Sequence, residues 1–321
     1  MSLSEFDIIE QFFRRPPRRN DVVLGIGDDA ALLEVPQGQL LVSAVDTLVA
    51  GRHFPPQADP FDIGYKSLAV NLSDLAAMGA MPAWATLALT LPQATDDWLE
   101  AFAGGFFGLA REHGVELVGG DTTRGPLSVS VQLQGFVEPQ RVLRRAGARP
   151  GQAILVSGTP GDAAWALKQW QAGQAVDPLL LQRLNRPQPR VALGRSLGGV
   201  ATAAIDVSDG LLADLGHLLA ASGCAATLWI ERLPRSAALA VHAFDDTLAY
   251  QLGGGDDYEL CFTVDFSRLD EVAELARQAG TTVTEIGRVE EGTGIRCLHE
   301  DGRRYRPERV GFDHFGPQEA P

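Results

Sequence analysis

Residues 65–79, YKSLAVNLSDLAAMG, read as one helix, with Asp62 as the candidate cap and Gly79 as the stop. Leu68, Ala69, Leu72, Leu75 and Ala76 recur at helical spacing, and much of the remainder is Ala, Val or Met. A helix that is apolar on most sides is buried on most sides. Ser67, Asn71 and Asp74 interrupt it with one narrow polar stripe at i, i+4, i+7. A carboxylate there is costly unless a cation, an arginine or backbone amides meet it. Asp74 alone does not choose among these, so the rest of the chain must.

On the N-terminal side, residues 4–13 suggest a short amphipathic helix capped by Ser4, and 14–20 (RRPPRRN) a basic loop. Two strand-like runs flank Gly25-Ile26-Gly27-Asp28-Asp29, and a strand at 40–51 ends near Asp46. On the C-terminal side, a strand at 85–92 precedes a helix at 96–113. That helix carries Trp98, Phe102 and Phe106 at i, i+4, i+8 and stops at Gly114. A strand from 115 runs into a glycine turn presenting Asp121. Residues 127–137 alternate apolar and polar side chains, as in a half-exposed strand or a sheet face that meets a partner subunit.

AGARPGQ (146–152) is the linker candidate. Beyond it, strands are expected at 153–158, 202–206, 226–230, 259–264 and 281–289. Helices are expected at 161–170, after Pro187 and Pro189, at 206–223 and at 268–279. Both halves alternate strands and helices closely enough for α/β packing. Asn71–Leu75 (NLSDL) and Asp206–Gly210 (DVSDG) each place Ser-Asp in or near the start of a helix, an internal echo.

The 321 residues are enough for two domains, and the hydrophobic share of 45% is that of an ordinary globular protein. A net charge of −14 argues against nucleic acid or an anionic membrane surface as partner. It leaves phosphate substrates open, because divalent cations reverse the local sign. The three cysteines form no disulfide or zinc pattern, no apolar run is long enough for a membrane span, and no signal peptide is evident. A cytoplasmic location is the expectation. Lys66 and Lys168 are the only lysines, and neither lies in a P-loop. Protein-kinase signatures are missing as well.

Aspartates stand at six stations: Asp28/Asp29, Asp46, Asp74, Asp121, Asp206/Asp209 and Asp256/Asp257. Three follow glycines, and most are expected at strand ends, where α/β folds gather ligands. One Gly-Asp pair is ordinary turn chemistry. Six stations, one of them on a buried helix, point instead to oxygen ligands for Mg²⁺ and to a phosphate enzyme.

GIGDDAALL, VDTLVAGRHF, AVNLSDLAAMGAMPAW, GGDTTRGP, IDVSDGL and GGGDDYELCF, in this order, resemble the thiamine-monophosphate kinase family. That family lies within the superfamily of aminoimidazole ribonucleotide synthetase, and the resemblance runs from residue 5 to residue 315. It implies a mixed α/β (α+β) fold of two domains. The N-terminal domain, 1–148, would bind ATP and Mg²⁺ and pair with its mate into a β-barrel across a homodimer axis. The C-terminal α/β domain would be 149–321. The implied activity is Mg²⁺-dependent phosphorylation of thiamine monophosphate by ATP, through direct in-line transfer, giving thiamine diphosphate.

By motif position, Asp29, Asp46, Asp74, Asp121, Asp206 and Asp209 would hold metal, with Asp28 beside them. Asp74, Asp121 and Asp209 would be catalytic. Gly120, Asp121, Arg145 and Ser208 would contact ATP, and His53, Asp256 and Phe312 would sit at the thiamine phosphate end. Two positions depart from the family. Ala44 and Val45 stand where hydroxyl residues usually precede the aspartate, and Asp256 replaces a Glu. A ring-closing synthetase of the same superfamily and a non-enzymatic divalent-cation binder are the alternative readings.

Overall fold

A computed structural model describes residues 4–308 and 310–312. The chain divides into two compact units, Met1–Leu75 with Ala80–Pro139, and Ala76–Gly79 with Gln140–Pro321.

The first unit opens with α1 (Glu5–Ile8), where Ser4 and Asp7 form a reciprocal capping box, and continues as a π-helical turn, Ile9–Phe13. Then follow β1 (Val22–Leu24), β2 (Leu32–Leu33), β3 (Leu40–Val49), α2 (Pro60–Ala77), β4 (Met81–Leu91), α3 (Asp96–Glu112), β5 (Glu116–Arg124) and β6 (Ser128–Val137). Strands β3, β6, β4 and β5 form an open four-stranded sheet in that order.

Helix α2 is the expected organising helix, but its start differs. Asp59, not Asp62, caps it: the Asp59 carboxylate accepts the Phe61 amide at 2.9 Å, and its carbonyl accepts the first helical bond from Ile63. Pro60 supplies the first helical residue, which places Asp62 inside the first turn. Gly79 ends the helix with φ of 69°. Leu68, Ala69, Leu72, Leu75 and Ala76 are wholly buried. α2 crosses α3 at two glycines. A Cβ on Gly64 would lie 2.1 Å from the Phe102 carbonyl oxygen, and one on Gly105 would lie 2.0 Å from that of Phe61. Only bare backbone permits this approach. On α3, Trp98 and Phe102 stack at 5.2 Å, and Phe102 and Phe106 at 6.5 Å.

The alternation in β6 sorts the two faces of the sheet. Val129, Val131 and Leu133 are wholly buried, and Leu75 of α2 packs at Gly135 on that same face. The other face is covered at one end by Val22 of β1 with Trp84 and Phe136. Beyond that cover it shows hydroxyls and amides: Thr47 bonds Ser130 at 2.7 Å, and Gln132 bridges Thr86 and Ser43 at 3.3 Å each. Val45 stands 65% exposed on this face.

The second unit comprises β7 (Ala153–Ser157), α4 (Asp162–Gln171), α5 (Pro178–Asn185), α6 (Val191–Leu197), β8 (Ala203–Val207), α7 (Leu211–Ser222), β9 (Ala225–Trp229), α8 (Ala237–Ala240), α9 (Phe244–Gly253), β10 (Glu259–Val264), α10 (Leu269–Gln278), β11 (Val283–Glu290), β12 (Gly294–Leu298) and β13 (Arg304–Tyr305). Its sheet runs β13-β12-β9-β11-β7-β10-β8, with only β12 and β9 parallel. α7 lays Leu211, Leu215, Leu218 and Leu219 into a core shared with Leu248 and Leu252 of α9 and with the sheet. The helix expected from 206 begins at Leu211, because Asp206 still belongs to β8. No helix among the described residues is long and apolar enough to cross a membrane.

Candidate active site

In the first unit, Asp28 and Asp29 lie in the exposed loop after β1, where the Asp28 carboxylate accepts the Asp29 amide at 2.8 Å. Asp46 is not at a strand end. It lies within β3, paired with Val131, because β6 pairs with β3 as far as Val49. Asp121 is likewise no turn residue: β5 continues through Gly119–Asp121 to Arg124 against β4. Gly120 takes φ of 151°, with the Leu87 carbonyl oxygen 1.9 Å from where a Cβ would stand.

Register separates these two aspartates. Asp46, Val131, Leu87 and Gly120 share one cross-strand row, while Thr47, Ser130, Ala88 and Asp121 share the next. Alternate rows face opposite sides, and β3 and β5 are opposite edges, about 14 Å apart at ordinary strand spacing. Within this sheet Asp46 and Asp121 are therefore not brought together. His53 follows β3 in a turn, its ring Nδ1 accepting the Val49 amide at 2.9 Å, which leaves the ring proton on Nε2. Asp74 is half-buried in the last turn of α2, so Ser73-Asp74 closes a helix whereas Ser208-Asp209 precedes one. The internal echo is thus not a structural one.

In the second unit the expected residues do converge. β8 ends at Val207 beside the start of β10, which puts buried Asp206 next to the loop 208–210. The Ser208 carbonyl accepts the Asp256 amide at 2.9 Å, and the Asp209 carbonyl accepts the Phe312 amide at 2.9 Å. Asp256 is held at φ of 68°, unusual for a residue with a side chain, and accepts the Tyr258 hydroxyl at 3.1 Å. Phe312 is 48% exposed. Residues 313–315 of the terminal GFDHF lie outside the described residues. Arg145 does not join this cluster through its backbone. Its carbonyl accepts from Ser222 at the far end of α7, and the neighbouring Arg144 carbonyl accepts from Ala204 at the opposite end of β8.

Sequence reading missed Asp214. One of its carboxylate oxygens accepts the amides of Ser208, Asp209 and Gly210 at 3.0, 3.0 and 3.1 Å. Burial pushes this carboxyl up to about 7, and the charges of Asp206 and Asp209 act in the same direction. The available signal was its spacing: an acid on the Leu211–Leu215–Leu218 face of an apolar helix. Nearby, Asp257 accepts the Gly161 amide with both oxygens at 2.9 Å, and burial raises its carboxyl well above the usual range. Glu259, the acid of the YEL triplet, is a buried ion-pair partner of Arg190.

Two family descriptions match: AIR synthase related protein, N-terminal domain, over residues 27–137, and the corresponding C-terminal domain over 149–300. A thiamine-monophosphate kinase of Salmonella typhimurium is 47% identical, over 98% of this chain and 99% of its own. The chain belongs to the thiamine-monophosphate kinase family. A crystal structure of the enzyme from Stenotrophomonas maltophilia matches with a TM-score of 0.86 at 51% identity, covering 95% of this chain and 99% of that one. AaThiL complexed with AMPPCP and TMP matches with a TM-score of 0.77 at 34% identity, covering 90% and 92%.

The donor set suits a hard divalent cation. Every candidate ligand is a carboxylate or carbonyl oxygen, the preference of Mg²⁺. Asn71 Oδ1, one turn before Asp74, is buried with no hydrogen-bond partner among the described residues. Among those residues no three His, Cys, Asp or Glu side chains are grouped as a ready cage. Mg²⁺ sites completed by substrate phosphates and water need only one or two carboxylates each.

Proposed function

We propose that the protein transfers the γ-phosphoryl group of ATP to thiamine monophosphate, releasing ADP and thiamine diphosphate. The observation that carries this reading is a match over nine-tenths of the chain to a protein complexed with AMPPCP and TMP. AMPPCP is a nonhydrolysable ATP analogue, so that complex pairs a nucleotide with a phosphate acceptor. The acceptor needs no general base. A phosphate monoester has its second pKa at about 6 and presents an anionic oxygen at neutral pH.

Asp28, Asp29, Asp46, Asp74, Asp121, Asp206 and Asp209 would hold Mg²⁺, which supplies charge neutralisation between two polyanions. Gly120, Asp121, Arg145 and Ser208 would take ATP, while His53, Asp256 and Phe312 would take the acceptor. Asp74, Asp121 and Asp209 are the residues assigned to catalysis. The role of this chain is then to hold both phosphates in line. Incubation with Mg-ATP and thiamine monophosphate yields thiamine diphosphate, and chiral γ-thiophosphate ATP gives inversion at phosphorus. ATP hydrolysis without diphosphate would remove the activity; net retention would remove the single in-line step.

The domain reading goes with it: 1–148 for ATP, Mg²⁺ and dimerisation, and 149–321 as the C-terminal α/β domain. The open, partly apolar face beside Val45 supports a homodimer in which two four-stranded sheets close into a barrel. Light scattering at micromolar concentration then reads twice the 34.3 kDa chain mass; a stable monomer would exclude the barrel. A cytoplasmic site accords with ATP as co-substrate and with free, buried Cys224, Cys261 and Cys297. Cell fractionation tests it, and recovery with membranes would count against it.

A further inference from the structure

The loop between β8 and α7 offers three successive backbone amides at a helix N-terminus. Such an arrangement is an anion nest, and in many proteins it holds a substrate phosphate. Here an internal carboxylate fills it. Asp214, 4% exposed and on the buried face of α7, takes all three amides on one oxygen. Phosphate therefore has no seat on these amides, and what the loop has left to offer is its carbonyls and side chains.

Those carbonyls are in use. Ser208 receives the amide of Asp256, and Asp209 receives the amide of Phe312. The Asp209 residue is thus gripped from both sides, its N–H by Asp214 and its C=O by the tail. The tail can come this close only because residue 311 is glycine. A Cβ there would stand 2.4 Å from the Ala213 Cβ.

We propose that Asp214 is the positioning residue of this site, turning the amides of residues 208–210 inward so that the loop's carbonyls seat Asp256 and Phe312. It touches neither substrate. It links the segment assigned to metal and nucleotide with the segment assigned to the acceptor. This rests on the phosphotransfer reading above for the substrates, but the bracket itself is a property of this loop.

The test compares Asp214→Ala, Asp214→Asn, Phe312→Ala and the double variant Asp214→Ala/Phe312→Ala. Asp214→Ala is expected to raise KM for both ATP and thiamine monophosphate and to lower kcat/KM about a hundredfold, the scale of a lost preorganised contact. Asp214→Asn keeps one acceptor oxygen and falls between. Phe312→Ala raises KM for the acceptor alone. The double variant loses clearly less than the product of the two single effects, because the Phe312 seat is already gone without Asp214. Amide exchange in Asp214→Ala speeds up at 208–210 and also at Asp256 and Phe312, while β8 and the rest of α7 stay protected.

Kinetic constants within twofold of wild type, multiplicative effects, or faster exchange confined to 208–210 would each overturn the proposal. Should the alanine variant not fold, the same comparisons made with Asp214→Asn decide. Should the wild-type protein form no thiamine diphosphate, the function reading fails and the exchange pattern alone judges the bracket.

Discussion

Glu259→Ala is expected to destabilise the protein by about 3–5 kcal/mol, the cost of leaving one member of a buried ion pair uncompensated. Arg190 grips the Glu259 carboxylate with two nitrogens at 2.6 and 2.5 Å, and their side chains are only 11% and 5% exposed. Ser157 donates to the same carboxylate at 2.5 Å and accepts the Leu260 amide at 2.8 Å. Alanine at 259 would strand a guanidinium that water cannot readily reach, and would free the Ser157 hydroxyl as well. The pair itself is not strongly stabilising, since desolvation offsets most of its attraction. The double variant Arg190→Met/Glu259→Leu should therefore recover most of the loss. Urea midpoints for the single and double variants check both statements. A loss below about 1 kcal/mol for Glu259→Ala would mean that the pair behaves as a solvated surface contact.

Elements with strong periodicity and a glycine stop were legible. α2 and α3 carry unbroken apolar stripes, and Gly79 and Gly114 end them at φ of 69° and 65°. The strands β7 to β11 were legible from their apolar runs too, whereas several short elements were not. α5 starts at Pro178 behind an Asp177 cap, a pattern present in the chain but attached to a short helix of only eight residues. α8 is one turn, α9 has no side-chain cap, and β12 and β13 are short strands at a sheet edge. Long-range pairing also overrode local cues. Gly119-Gly120 has the composition of a turn, yet Leu87 and Ala88 of β4 continue the ladder past it. Asp46 likewise stays mid-strand because Leu127, beyond the end of β6, still bonds to Ala50. For the site, motif order picked out Ser208, Asp209, Asp256 and Phe312, which the backbone joins. Motif order did not single out Asp214, whose one signal was its place on the apolar face of α7, or Arg190, whose partner Glu259 is brought to it only by folding.

Asp74→Asn is expected to lower turnover by about a hundredfold or more while preserving the fold, since a preorganised charge is worth that much at a transferring phosphoryl group. The stability half follows from where Asp74 sits. It occupies the last turn of α2, where unpaired carbonyls make the helix end negative. Against that helix end a carboxylate meets like charge, worth about 0.3–1 kcal/mol. Asparagine keeps the size and one acceptor oxygen but removes the repulsion. One turn earlier on the same stripe, the Asn71 Oδ1 acceptor is buried with no hydrogen-bond partner among the described residues. Asp74 and the Asn71 acceptor thus lie on one polar stripe of α2, where a cation would meet oxygen ligands during phosphotransfer. The check is a thermal melt beside initial rates at saturating Mg-ATP and thiamine monophosphate. A variant that melts as wild type and turns over at a near-normal rate would return Asp74 to the reading of a carboxylate met by an arginine or by backbone amides. A variant that melts several degrees lower would mean that Asp74 instead holds the helix end in place.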